Sequence, residues 1–236
     1  MEKILAITLL FLLILALLLH TSLNMPAQQQ YKTYPSAQKF PLPPPNYQGM
    51  TLEKALAERR TIREFGSDEI TLSELSQLLF SAQGITDKEK GFRTAPSAGA
   101  LYPIEIYLAV NRVENLSKGI YHYNVREHSL ELLKEGDFSK KLYAASNQQP
   151  VRDAAIVFIF TAVFERTKAK YGERGERYIY IEAGHISQNL LLEATSLNLA
   201  SVPIGAFSEE QINSLLEING KEESAIYINL VGRKKS

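Results

Sequence analysis

The sequence has no cysteine, no tryptophan and only four histidines, and neither sign of charge is in excess: 26 basic side chains balance 26 acidic ones over 236 residues. Without cysteine there is no thiol nucleophile, disulfide or thiolate metal site. His20, His122, His128 and His185 share no metal-ligand spacing, so a metal centre is not expected. Charge balance leaves no surplus of Lys and Arg to neutralise phosphates, which argues against a general nucleic-acid binder. Neither GxGxxG nor GxxxxGK[ST] occurs, so neither a dinucleotide fingerprint nor a P-loop is supported. What is present is apolar material, 45% of the residues, enough for one domain of ordinary core size and an appendage.

The appendage is N-terminal. Ile4 to Leu19, ILAITLLFLLILALLL, carries no charge and no proline, and Leu23 extends its reach past His20-Thr21-Ser22. A helix of this composition has no polar face to turn to water. Residues 1–23 are therefore expected to be a membrane anchor or signal sequence. An uncleaved anchor is favoured because Met25-Pro26-Ala27 is the nearest approach to a small-residue cleavage site. Lys3 before the run orients the rest of the chain outward, giving an extracytoplasmic domain, or a secreted one if cleavage occurs. Residues 24–50 read as a linker, because Pro41, Pro43, Pro44 and Pro45 favour polyproline geometry and exclude a helix.

Residues 51–236 read as one domain. TLEKALAERR is a helix capped by Thr51 with Leu52, Ala55 and Leu56 on one face. Thr71-Leu72-Ser73-Glu74 is a capping box opening a second helix that ends at Gly84. Ile104–Val110 alternates as a strand, IYHYN and SLELL form a hairpin, and Ala154–Val163 is a fully buried strand. The longest helix runs from Tyr178 to Leu199 and buries Ile181, Ile186, Leu190, Ala194 and Leu197. Ser208 caps another, and Ala225–Val231 is the final strand. This mixture indicates α+β with a largely antiparallel sheet.

Three segments carry candidate chemistry. In ERRTIREF, the guanidiniums of Arg59, Arg60 and Arg63 with the Thr61 hydroxyl suit a phosphate. Cations closing a helix would equally complement its dipole. RTAPSAGALYPIE is a tight loop of small residues in which Gly99 permits positive φ and backbone N–H groups can approach a ligand. SVPIGAF reads as an apolar loop able to set backbone N–H groups against a flat ligand. Between them KAKYGERGERY reads on its own as a solvated, ion-paired helix entry, with Glu173 and Arg177 one i,i+4 pair.

In this order the Arg-Arg-Thr-x-Arg, PSAG…YP, KYGERG and VPIGAF segments resemble the nitroreductase-like flavoproteins, nearest the SagB-type dehydrogenase branch, over about Thr51 to Gly232. The resemblance implies a three-layer α+β sandwich whose mainly antiparallel sheet is flanked by helices, and a homodimer holding FMN at its interface. It assigns Arg59, Arg60, Thr61 and Arg63 to the FMN phosphate and ribityl chain, with Arg233 a further basic contact. Pro96, Ser97, Ala98 and Gly99 would approach the flavin from the partner subunit, and Pro203, Ile204, Gly205 and Ala206 would lie along its ring. Ala100 and Tyr102 stand where many nitroreductases carry side-chain amides, which favours the SagB-like branch.

The implied reaction is oxidation of an azoline in a modified peptide, or of a related small heterocycle, with hydride passing to the flavin. Lys170 and Tyr171 match that branch's proton-handling pair. Free Lys and Tyr both titrate near pH 10, so one of them needs a neighbouring cation, and Arg174 stands four residues after Lys170. Glu173, Glu176 and Arg177 are expected to be structural, and His185 and Gln188 buried. A cyclodehydratase partner would accompany this chemistry. An NAD(P)H-dependent nitro- or quinone reductase, or a membrane-tethered flavin binder without catalysis, are the competing expectations.

Overall fold

The computed structural model describes residues 31–235. The expected anchor at 1–23 lies outside them; among the described residues no helix is long and apolar enough to cross a membrane. In chain order the elements are β1 (Gln38–Pro41), α1 (Leu52–Glu58), α2 (Leu72–Gln83), β2 (Ile85–Asp87), β3 (Phe92–Arg93), β4 (Ile104–Val110), β5 (Gly119–Asn124) and β6 (Ser129–Glu135). There follow α3 (Ser139–Ser146), α4 (Gln149–Asp153), β7 (Ile156–Val163), α5 (Phe164–Tyr171), α6 (Arg174–Ser196), β8 (Leu199–Ile204), α7 (Glu209–Leu216) and β9 (Glu223–Arg233).

Seven strands form one sheet in the order β1-β6-β5-β4-β7-β9-β8, every neighbouring pair antiparallel. β7 lies inside it, and its side chains alternate between two apolar layers as the pleat requires. Ile156, Phe158 and Phe160 join Leu75, Leu78 and Leu79 of α2 and Ile179, Ile186 and Leu190 of α6 on one face. Val157 and Ile159 join Leu142 of α3, Val151 of α4 and Ile212, Leu215 and Leu216 of α7 on the other. The result is a three-layer α+β sandwich, as expected. The Thr71–Glu74 capping box forms in full, Glu74 N–H donating to Thr71 Oγ1 at 3.1 Å and Thr71 N–H to Glu74 Oε2 at 2.8 Å.

The linker reading fails for residues 31–50. β1 pairs with β6 at the sheet edge, and Leu42 is buried in the core. An edge strand makes no outer ladder bond, so Pro41 at its end removes nothing. Further upstream Lys32 pairs with Glu223, Tyr34 N–H donates to Glu131 at 3.1 Å, and Tyr34 meets the Tyr107 hydroxyl at 2.8 Å. The domain therefore reaches back to at least Tyr31.

Burial also departs from expectation on α1 and α6. Leu52 is 60% exposed, Leu56 53%, Tyr180 50% and Ile181 49%, and His185 and Gln188 are exposed as well. α6 begins at Arg174, and its 3.6-residue period turns positions 180, 181, 184, 185 and 188 away from the core that holds Ile179, Ala183 and Ile186.

Candidate active site

The candidate residues fall into two groups. The first surrounds the end of β8. Arg59 closes α1, and from Arg60 onward the chain is not helical; Ile62 N–H donates to Ser201 O of β8 at 3.0 Å. Arg60, Thr61 and Arg63 are exposed, and among the described residues none of the three guanidiniums has a carboxylate partner. Arg60 folds back, Nη1 donating to Ala57 O at 2.9 Å and Arg59 O at 2.7 Å, and so satisfies carbonyls left open at the helix end. Among the described residues nothing pairs with Arg59 or Arg63, which leaves both cations open to a ligand.

SVPIGAF is not wholly a loop. β8 runs to Ile204 at the outer edge of the sheet, where Pro203 is tolerated, and Gly205 and Ala206 follow exposed. A Cβ at Gly205 would meet no atom within 4 Å, so this backbone is open to an approaching group.

Arg233 does not join the first group as a free cation. Its Nη1 and Nη2 donate to the two oxygens of Glu74 at 2.7 and 2.8 Å, and its Nε to Glu69 O at 2.9 Å. The guanidinium fork is filled by the carboxylate of the α2 capping box, so the assignment as a phosphate contact is corrected to a brace between β9 and α2. Arg233→Ala is expected to cost about 1.5–3 kcal/mol of stability, the value of a charged hydrogen bond. Denaturant unfolding of the variant beside the native protein reads the loss.

The second group surrounds the PSAG loop. Gly99 takes φ 65°, and Ala100 at 54° and Tyr102 at 47° are also left-handed, on either side of a right-handed Leu101, which is unusual outside glycine. A Cβ on Gly99 would lie 2.9 Å from the Tyr171 hydroxyl and 3.1 Å from Lys170 Nζ, so the loop backbone touches both candidate proton carriers. Lys170 and Tyr171 end α5, with the Lys170 ammonium 5.5 Å from the Tyr171 ring centre. Tyr171 in turn meets Tyr178 of α6 edge-on at 5.1 Å.

The expected i,i+4 relation between Lys170 and Arg174 is absent. Gly172, at φ 57°, ends α5, and Arg174 opens a different helix. Glu173 pairs back to Lys168 at 3.0 Å and not forward to Arg177.

Two buried groups that the sequence reading does not single out complete this region. Glu182 of α6, 4% exposed, accepts the Ala98 N–H on Oε1 at 2.8 Å. Burial pushes its carboxyl up to about 7; the bonds from Ala98 and Ser97 and the charge of Arg93 oppose that shift without cancelling it. Its position three and four residues from Ile179 and Ile186 on the apolar stripe of α6 was the available signal. Arg166 of α5 donates to Tyr102 O at 3.1 Å and pairs with Glu105 at 2.5 Å, tying the loop to a buried ionic chain.

A nitroreductase family model matches residues 56–233 of this chain. A nitroreductase-family protein of Methanocaldococcus jannaschii is 43% identical over 191 residues, 80% of this chain and 94% of that one. The trifolitoxin-processing protein TfxB of Rhizobium leguminosarum bv. trifolii is 32% identical over 182 residues, 72% of this chain but 49% of TfxB, so the chain spans about half that relative. Among solved structures the fold recurs, at TM-score 0.65 and 19% identity, in the E. coli microcin synthetase McbBCD complex with truncated pro-MccB17 bound, over 89% of this chain and 80% of the matched one.

Proposed function

This chain belongs to the nitroreductase family, whose members are oxidoreductases, and from that premise we propose that it is an FMN-dependent, SagB-like dehydrogenase oxidising an azoline or related heterocycle in a modified peptide. The observation that carries the reading is the placing of Lys170 and Tyr171 together against the backbone of Gly99, at the end of one helix and the head of another. Similarity to a trifolitoxin-processing protein, about half of which this chain spans, supports the substrate class.

The residues present fit the cofactor. Among the described residues Arg59 and Arg63 are cations without carboxylate partners, and they lie on the segment that is bonded to β8 and leads away from Gly205. They would hold the phosphate with Thr61, while Pro203, Ile204, Gly205 and Ala206 would lie along the ring. Bound FMN would supply the two-electron acceptor for hydride. Converting an azoline to an azole also removes a proton from ring carbon, and the Lys170 amine or the Tyr171 phenolate, in its deprotonated form, would take it.

A homodimer is part of this reading. Tyr180 and Ile181 of α6 and Leu52 and Leu56 of α1 are exposed on helices that pack on each other, an apolar face of the kind buried between subunits. By the family resemblance, closing it would bring one subunit's arginine segment towards the other's PSAG loop. We place the domain outside the cytoplasm on an anchor formed by residues 1–23, with a cyclodehydratase supplying the azoline. The competing reductase reading lacks a specific feature of its own here.

The full-length protein purified in detergent is expected to be yellow and to release FMN on denaturation. Arg59→Ala with Arg63→Ala should weaken FMN at least about a hundredfold, since each charged bond contributes about 1.5–3 kcal/mol. Riboflavin, which lacks the phosphate, should be little affected. A colourless protein that refuses FMN, or equal loss of both flavins, refutes the reading. Rapid anaerobic bleaching by NADPH without azoline turnover would favour a reductase instead.

A further inference from the structure

We propose that Glu182 is a positioning residue, whose carboxylate fixes the Pro96–Tyr102 loop against Lys170 and Tyr171; this rests on the reading of that pair as the proton carriers. Ala98, whose N–H the Glu182 carboxylate holds, is the immediate neighbour of Gly99, the residue that touches both side chains. The loop needs an external hold because Gly99, Ala100 and Tyr102 all take positive φ, and the two non-glycines are strained there.

One contact inside the loop and two from outside supply that hold. Ser97 Oγ accepts the Tyr102 N–H at 2.8 Å within the loop, Arg166 reaches Tyr102 O from α5, and Glu182 reaches Ala98 from α6. Tyr178, one turn before Glu182, packs edge-on against Tyr171. One stretch of α6 therefore positions both the loop and one of the groups the loop touches. The hold comes at a cost: the carboxyl sits where an apolar side chain would pack without desolvation, and its neighbours Ala98, Ser97 and Arg93 only partly offset that burial.

Glu182→Gln keeps an acceptor oxygen for Ala98 while removing the charge. Glu182→Ala removes both, and Glu182→Met removes both while keeping most of the packing volume. Hydrogen exchange of the full-length protein without substrate reads the loop directly. Peptides covering residues 93–102 are expected to exchange about tenfold faster in the Ala and Met variants and at the native rate in Gln, with peptides from β7 unchanged in all three. In turnover assays kcat should fall about tenfold in Ala and Met with KM within about twofold, and Gln should restore it.

Native loop exchange in the Met variant overturns the proposal even if the Ala variant unfolds. A Gln variant as fast-exchanging as Met overturns it too, because charge and not bond acceptance would then matter. If Lys170 proves dispensable while the loop still loosens in Met, the reading of the pair has failed and the Glu182 hold has not.

Discussion

Lys170→Ala is expected to leave the fold and flavin content intact and to lower turnover by about 10²–10⁴-fold, the range of a positioned general acid or base. Lys170 is exposed at the last turn of α5, contributes nothing to either apolar layer and forms no ion pair among the described residues. Its removal therefore costs little stability. It also lies in the loop group and not among the arginines, so flavin affinity should be preserved. Lys170 Nζ and the Tyr171 hydroxyl both reach the Gly99 backbone, and Tyr171→Phe beside Lys170→Ala identifies which one carries the proton. The assay is azole formation from an azoline peptide under single turnover, with bound flavin followed by absorbance. Turnover within about twofold of native in both variants would return KAKYGERGERY to a solvated helix entry.

Legibility followed locality. The capping box at Thr71, the hairpin of β5 and β6, and the unbroken apolar β7 are each decided within a dozen residues, and the structure has them where the sequence puts them. β1 was hidden because proline density reads as polyproline until a partner strand is known, and Lys32 finds Glu223 at a sequence separation of 191. Arg233 has the right residue type for a phosphate contact, yet Glu74, 159 positions away, fills its fork. Apolar periodicity locates α6 but not its phase, so it puts Ile181 inside, whereas Ile181 is exposed and Glu182 is the residue that lies inside. Lys170 and Tyr171 were assigned from resemblance, and their contact with Gly99 needed the fold. The misses at β1 and Arg233 share a long-range partner, which a local pattern cannot contain.

Glu105→Gln is expected to cost about 3–5 kcal/mol, because it breaks a buried ionic chain at its branch point. At about 2–4 °C per kcal/mol for a domain of this size, the melting temperature should fall by about 6–20 °C. Glu105 Oε1 pairs with Arg166, its Oε2 meets His122 Nε2 at 2.9 Å, and His122 Nδ1 meets Glu131 at 2.9 Å, all inside the sandwich. Burial opposes the imidazolium, but the bonds to Glu105 and Glu131 outweigh it and raise His122 above its ordinary 6.5. Burial likewise opposes the Glu105 carboxylate, and His122 and Arg166 outweigh it to hold Glu105 below its ordinary 4.5; Glu131 is lowered too, by His122, Asn124 and Tyr34. The signs then differ. The His122 contribution is complete below about pH 6.5 and is lost as pH rises through the elevated folded value, whereas the carboxylate contribution is complete above about 4.5 and is lost as pH falls through the lowered ones. Native stability from this chain should therefore be greatest between about pH 4.5 and 6.5. Gln at 105 should lower that maximum most and flatten both flanks, since it strands the Arg166 charge and deprives His122 of one of its two carboxylates. Denaturant unfolding of both proteins across that range reads the difference, and a loss below about 1 kcal/mol at the maximum would mean the chain is a weak, well-solvated pair and not a buried one.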